Sequence, residues 1–311
     1  VVSNDEIASL LDTTSDWIVE RSGIRLRHVA SGPLFVPPEG PSPERTIGTT
    51  TGLAVRAAKT AMESSATSPA DLGMLILCTA TPDKQMPATA AMVAAELDIH
   101  CGAMDLNAVC AGFVHGLVVA AGLIASGVER VLLIGSETMT RAVDWTDRSS
   151  AFLFGDGAAA VVLEAAEGKG SLLGWDLGVD GTLSHILYAD HGSGMVMKGR
   201  EVFRHAIRVS VESATLAMER AGVTASEIDL FVPHQANKRI MESVVVRLGL
   251  QPDRTASIIA ATGNTSSASI PLALVDAIVA GRLRPGSLVL FAGFGAGLSW
   301  GSAVWQWHGD S

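Results

Sequence analysis

Three short segments place one chemically useful side chain each among small or turn-forming residues: Cys110 in Asn107–Phe113 (NAVCAGF), His234 in Val232–Ile240 (VPHQANKRI) and Asn264 in Ala261–Pro271 (ATGNTSSASIP). A cysteine is a thioester-forming nucleophile. A histidine and an asparagine amide supply hydrogen bonds to an oxygen on which negative charge develops. Together they suit carbon–carbon bond formation on acyl thioesters. A Gly-rich Phe294–Gly301 (FGAGLSWG) follows, and Gly295–Gly297 reads as a backbone turn whose amides could join an oxyanion hole. Cys110 is expected at a tight junction before a helix, where exposed amides and the helix dipole favour a thiolate and lower the usual thiol pKa of about 8.5. His234 ends an apolar strand, follows Pro233 and precedes a polar turn, the kind of strand end where α/β proteins place chemistry. Asn264 is a good helix N-cap, but the following Thr and Ser residues could cap instead and free its amide. Cys78 and Cys101, at strand edges, fit structural roles. No HxxxH or CxxC pairing accompanies these residues, so no metal site is expected.

The elements that must hold these residues fit a chain of 311 residues, long enough for one large core or two closely packed halves. Hydrophobic residues make up 48% and charged residues 17%, too apolar for a disordered chain. The longest apolar stretches are Ala- and Gly-rich and fall short of the roughly 18 residues a membrane span needs. No signal peptide is read at Val1–Asn4, and three cysteines are too few for a disulfide framework, so a reducing cytoplasmic setting is expected. A net charge of −10 argues against a general nucleic-acid surface and requires any acidic partner to meet a local basic patch.

The chain repeats itself. Ala61–Cys78 (AMESSATSPADLGMLILC) matches Ala217–His234 (AMERAGVTASEIDLFVPH) at an offset of 156 residues. Each reads as helix end, polar loop and buried strand. At an offset of 154, Cys110 and Asn264 each precede an Ala-rich helix closed by a glycine, Gly127 or Gly281. On this reading Cys110 and Asn264 are equivalent, and pseudo-twofold packing brings both helix N-termini to one site. Unbroken apolar strands, Val131–Ile134 and Leu288–Phe291, indicate sheets covered on both faces. An α/β protein follows, with two similar sheets and helices between and outside them, divided into halves 1–165 and 166–311.

In order, Trp17–His28 (WIVERSGIRLRH), CAGF, Asp147–Gly157 (DRSSAFLFGDG), Met197–Phe203 (MKGREVF), HQANKRI, GNTSSAS and GFGAGLSWGSA resemble the 3-oxoacyl-[acyl-carrier-protein] synthase III family, the initiating ketosynthases of the thiolase superfamily. The resemblance covers almost the whole chain. It implies a duplicated five-layered αβαβα fold with two mixed sheets, normally a homodimer. It assigns Cys110 as acyl acceptor with His234 and Asn264 as partners, and the amides of Cys110 and Ala296 as the oxyanion hole. Thr13, Trp17, Arg21 and Arg148 match positions that hold the adenine and phosphates of coenzyme A, in keeping with aromatic–guanidinium stacking on a purine. Gly199, Phe203, Ala236 and Asn237 match the pantetheine tunnel, and Met86 matches a residue that caps the partner's acyl pocket. Arg204, Lys238, Arg239 and Arg247 supply the basic patch for an acidic carrier protein.

The implied reaction acylates Cys110 from acyl-CoA and condenses it with malonyl-carrier protein by decarboxylation, without metal or redox cofactor. Three departures from the family pattern stand out. The chain opens on VVSN where a Gly-rich segment with the first strand is usual, Gly181–Met197 is shorter than the usual loop beside the acyl pocket, and Val109 replaces a small residue before the nucleophile. A thiolase would carry a second cysteine in the last Gly-rich loop, which here is GFGAGLS, and an elongating ketosynthase would carry a second histidine where Asn264 stands. The alternative is a pathway-specific relative that passes the acyl group to an acceptor other than malonyl carbon.

Overall fold

The computed structural model describes residues 1–30, 48–166, 171–190 and 193–309. A short ribbon pairs β1 (Val2–Ser3) with β2 (Leu26–Arg27). The first sheet is built from β3 (Met74–Cys78), β4 (Gly102–Leu106), β5 (Arg130–Thr138) and β6 (Asp156–Glu164), in the order β4-β3-β5-β6. β3 is parallel to β4 and β5, and β6 is antiparallel to β5. The second sheet joins β7 (Leu172–Val179), β10 (Leu230–Pro233), β11 (Leu288–Gly295) and β12 (Ser299–Gln306), in the order β10-β11-β12-β7. β10 is parallel to β11, and the other two pairings are antiparallel. Between β7 and β10 in sequence lies a second ribbon, β8 (Leu187–Tyr188) with β9 (Val196–Met197). It carries the Gly181–Met197 stretch, of which residues 191 and 192 lie outside the described residues.

Strand alternation builds the layers. In β3, Leu75 and Leu77 pack with Ala54, Ala58 and Met62 of helix Thr50–Ser64 and with Val93 of helix Thr89–Glu96. Ile76 and Cys78 point the other way, into a cluster with Phe113 and Leu117 of helix Gly112–Ala125 and Ile270 and Leu274 of helix Ser269–Val279. In the second sheet Val232, Val289 and Phe291 face that same central cluster. Phe231 and Leu290 face outward, onto helices Gly199–Ala221 and Lys238–Leu248. The period of two in a strand sends alternate residues to opposite faces, so a run apolar at every position needs cover on both. Helices, sheet, helices, sheet, helices is the expected five-layered αβαβα arrangement with two mixed sheets. The two central helices end where the sequence predicts, with Gly127 at φ 103° and Gly281 at φ 66°. No described helix is long and apolar enough to cross a membrane.

Candidate active site

The N-terminal ends of the two central helices bring Cys110 and Asn264 to one cavity. A short 3-10 turn, Val109–Ala111, leads into helix 112–125, and a second, Ser266–Ala268, leads into helix 269–279. Their geometry matches in detail. Asn107 Oδ1 accepts the Val109 N–H at 3.0 Å, and Asn264 Oδ1 accepts the Ser266 N–H at 2.9 Å. Val109 and Ser266 both take left-handed backbone, φ 49° and 50°. For residues with a Cβ this costs about 1–2 kcal/mol, so the side-chain bond to each turn has a clear task. The equivalence expected at an offset of 154 is therefore wrong. Asn264 corresponds to Asn107, and Cys110 corresponds to Ser267, at an offset of 157. The Ala-rich helices masked the register, because three residues either way aligns one small apolar residue with another.

Cys110, His234 and Asn264 line one cavity of about 750 Å³. Gly295, at the end of β11, passes so close that a Cβ there would lie 2.7 Å from Cys110 N. A glycine is thus required for Ala296 to stand beside the nucleophile, and Ala296 also lines the cavity.

Burial pushes the Cys110 thiol up to about 12, against a contribution from Ser266 that favours the thiolate and together with repulsion from Glu137. Loss of water around a residue only 6% exposed thus acts against the thiolate expected from the helix terminus. Burial pulls the His234 imidazole down to about 3, so the ring is neutral at physiological pH. Its Nδ1 lies 2.6 Å from Ser269 Oγ, and that oxygen accepts the Gln235 N–H at 3.2 Å. The Ser269 hydroxyl proton has no other acceptor among the described residues, so it donates to Nδ1, which assigns the ring proton to Nε2. Phe294 packs edge-to-face on the ring, centroids 5.3 Å apart. Asn264 is pinned by its own backbone to Leu153 O and Gly155 N, at 2.8 and 3.1 Å. Because Oδ1 holds Ser266, the amide NH₂ is the end left for a ligand. Asn264 thus bonds the turn through its own Oδ1, whereas Thr265 at the N-cap of that turn makes no side-chain cap bond, which corrects the expectation that neighbouring Thr and Ser would cap in its place.

Trp17, Arg21, Arg148, Gly199, Phe203, Ala236 and Asn237 also line this cavity. Two guanidiniums flank the Trp17 ring, Arg21 at 5.3 Å and Arg148 at 5.5 Å. Arg148 additionally meets Asp12 at 3.4 Å. Asn237 is engaged at both ends: Nδ2 donates to Arg21 O at 2.9 Å and Oδ1 accepts the Arg239 N–H at 2.9 Å. It therefore shapes the wall by holding Arg21 and capping helix 238–248. Of the four expected patch residues, Arg239 lines the cavity and lies 5.7 Å over Phe203. Arg204 and Arg247 are exposed outside it, and Lys238 pairs with Glu242 at 3.7 Å. Thr13 and Met86 do not line the cavity; the Thr13 hydroxyl is buried without a partner, and Met86 is 78% exposed.

Two residues escaped the sequence reading. Ser269 was visible only as the last serine of GNTSSAS. Glu137 was visible as a charge next to last in the strand run RVLLIGSET, yet it is fully buried beneath the site. Among the described residues no group of three His, Cys, Asp or Glu is arranged to hold a metal ion.

The family described as 3-oxoacyl-[acyl-carrier-protein (ACP)] synthase III matches residues 104–181, and its C-terminal part matches residues 218–307. A beta-ketoacyl-[acyl-carrier-protein] synthase III of Ruegeria sp. is 43% identical over 320 residues, covering 99% of this chain and 95% of the relative. The crystal structure of 3-oxoacyl-[acyl-carrier-protein] synthase III from Aquifex aeolicus superposes with a TM-score of 0.91 at 38% identity, covering 98% of this chain and 95% of that one. The priming β-ketosynthase of the R1128 polyketide pathway superposes with a TM-score of 0.88 at 35% identity, covering 100% and 93%. The chain belongs to the 3-oxoacyl-[acyl-carrier-protein] synthase III family.

Proposed function

We propose that the protein is an initiating ketosynthase that takes an acyl group from acyl-CoA onto Cys110 and condenses it with malonyl-acyl-carrier protein in fatty-acid or polyketide synthesis. One observation carries this reading. Three side chains from three loops share one cavity, and His234 and Asn264 are each engaged by the protein at one end, leaving an N–H of each for the substrate.

In the first half-reaction Cys110 Sγ bonds to the thioester carbonyl carbon and the bond to the CoA sulfur breaks. The thiol proton leaves with CoA, so the products are the acyl-cysteine and CoA–SH. The amides of Cys110 and Ala296 hold the transient oxyanion. In the second, the bond to the malonyl carboxylate breaks and carbon dioxide departs. The electron pair is carried as an enolate, whose oxygen accepts hydrogen bonds from His234 Nε2 and Asn264 Nδ2. The carbanion attacks the acyl-cysteine carbonyl, the C–S bond breaks, and the expelled sulfur takes a proton. The raised Cys110 pKa favours that last step. A neutral imidazole suits the task, since it donates without being consumed as an acid. No metal or redox cofactor takes part.

Trp17, Arg21 and Arg148 take the adenine and phosphates of CoA, with Thr13 beside them, while Gly199, Phe203, Ala236 and Asn237 wall the pantetheine. Arg204, Lys238, Arg239 and Arg247 meet the acidic carrier protein. The working unit is a cytoplasmic homodimer, in which the exposed Met86 reaches across to cap the partner's acyl pocket, and the halves 1–165 and 166–311 contribute Cys110 on one side and His234 and Asn264 on the other.

The test is intact-protein mass spectrometry after incubation with a panel of acyl-CoAs and then malonyl-carrier protein. Wild type is expected to gain one acyl mass that Cys110→Ala does not, and to discharge it as a 3-oxoacyl thioester. An acyl mass that malonyl-carrier protein leaves in place would replace this reading with transfer to another acceptor.

A further inference from the structure

Glu137 is the next-to-last residue of β5 with no exposed surface, and both its oxygens are crowded with donors. Oε2 accepts from Thr81 Oγ1 at 2.6 Å, Thr79 Oγ1 at 3.1 Å, Ala80 N at 3.0 Å and Thr81 N at 3.1 Å. Oε1 accepts from Ser266 Oγ at 2.8 Å and from Ser267 N at 3.3 Å, and it lies 2.8 Å from Ser267 Oγ, whose single proton is shared with Cys78 O at 2.7 Å. One carboxylate thus clasps the loop after β3, whose Ala80 and Thr81 line the cavity, to the turn that holds Asn264. Burial pushes its carboxyl up, and the bonds from Thr81, Ser267, Ser266 and Ala80 oppose that rise.

The repeat explains the placement. Met74 lies opposite Val131 and Leu230 opposite Val289, which aligns Glu137 with Gly295 and, in the turns, Ser267 with Cys110. In one half a glycine stands in the tight corner beside the Cys110 amide, where a Cβ would lie 2.7 Å from that nitrogen. In the other, the Glu137 carboxylate fills the equivalent corner and accepts the Ser267 amide.

We propose that Glu137 is a positioning residue for the condensation step: as a resident acceptor it holds the strained Ser266 turn, whose N–H orients the Asn264 amide toward the substrate. The effect runs through one chain of contacts, Glu137 Oε1 to Ser266 Oγ and Ser266 N to Asn264 Oδ1. It rests on the condensing activity proposed above. Glu137→Gln keeps the shape but turns an NH₂ toward groups that are themselves donors.

The experiment compares wild type, Glu137→Gln, Asn264→Ala and the double variant in two single-turnover assays, acylation by acyl-CoA and discharge of the acyl-enzyme by malonyl-carrier protein. Glu137→Gln is expected to acylate within about threefold of wild type and to condense on the order of 10- to 100-fold more slowly, the scale of a misplaced donor. The double variant is expected to condense within about twofold of Asn264→Ala alone, because contacts in one network are not additive. Multiplied losses, equal losses in both half-reactions, or condensation at the wild-type rate would each overturn the role. Should Glu137→Gln not fold, Ser266→Ala removes the hydroxyl link together with the Ser266 contribution at Cys110, so it is read by its condensation rate on the pre-acylated protein. It is expected to slow condensation less, again without adding to Asn264→Ala, and additivity there would be equally fatal. A wild type that acylates but never condenses would overturn the proposed function and the role with it; a wild type that condenses beside an unimpaired Glu137→Gln overturns the role alone.

Discussion

Ser269→Ala separates the two half-reactions. Ser269 is fully buried, and its hydroxyl serves His234 Nδ1 at 2.6 Å and the Gln235 N–H at 3.2 Å. Removing it orphans two buried groups, each at about 1–3 kcal/mol, so the protein should lose about 2–6 kcal/mol of stability. That corresponds to a melting temperature lower by roughly 3–9 °C for a chain of 311 residues. The catalytic loss lies between two limits. Without Ser269 the neutral ring can carry its proton on either nitrogen, and equal tautomers alone cost about twofold. Losing an oxyanion donor outright costs about 10²–10³-fold. The Phe294 edge still braces the ring, so a loss of about 5- to 20-fold is expected. The assay pre-acylates Cys110, mixes with malonyl-carrier protein, and quenches over a single turnover, with the acylation burst as internal control. Condensation should slow while acylation holds within about twofold. Equal loss in both steps, or an unchanged condensation rate in a destabilised protein, would refute the assignment of Ser269 to the His234 tautomer.

Three further outcomes are expected. His234 has a folded pKa near 3, below its unfolded value of about 6.5, so the unfolded state binds the extra proton in that window and stability falls as pH drops through it. The urea midpoint of wild type should therefore decline more steeply than that of His234→Ala below pH 6.5, by about 1.4 kcal/mol per pH unit for one proton, and parallel profiles would contradict the buried neutral ring. With the Cys110 thiol near 12, iodoacetamide labelling of the substrate-free protein should still be rising tenfold per pH unit at about pH 9.5, and a plateau near pH 8 would restore the helix-terminus thiolate. Trp17→Ala removes the ring between Arg21 and Arg148, so the KM for acyl-CoA should rise about 5- to 30-fold while a short acyl thioester lacking the nucleotide is unaffected; equal effects on both donors would remove Trp17 from the nucleotide site.

Much of this protein was legible before any coordinates. Cys110, His234 and Asn264 declared themselves because each stands in a peptide of small or turn-forming residues that makes little sense as core. The strands declared themselves as unbroken apolar runs, and Gly127 and Gly281 marked the ends of the central helices. These are local signals, carried by residue type and period. Other properties depend on what is near in space. Glu137 reaches Ser266 across 129 residues of chain, and no spacing announces that contact. The correspondence of Asn264 with Asn107 required two turns with matching bonds and matching left-handed residues, where alignment of Ala-rich helices slipped by three. The protonation of Cys110 and the tautomer of His234 were beyond the sequence for the same reason. A helix terminus is written in the chain, but the water lost around a buried thiol, and the hydroxyl that meets an imidazole nitrogen, exist only once two halves have closed around one cavity.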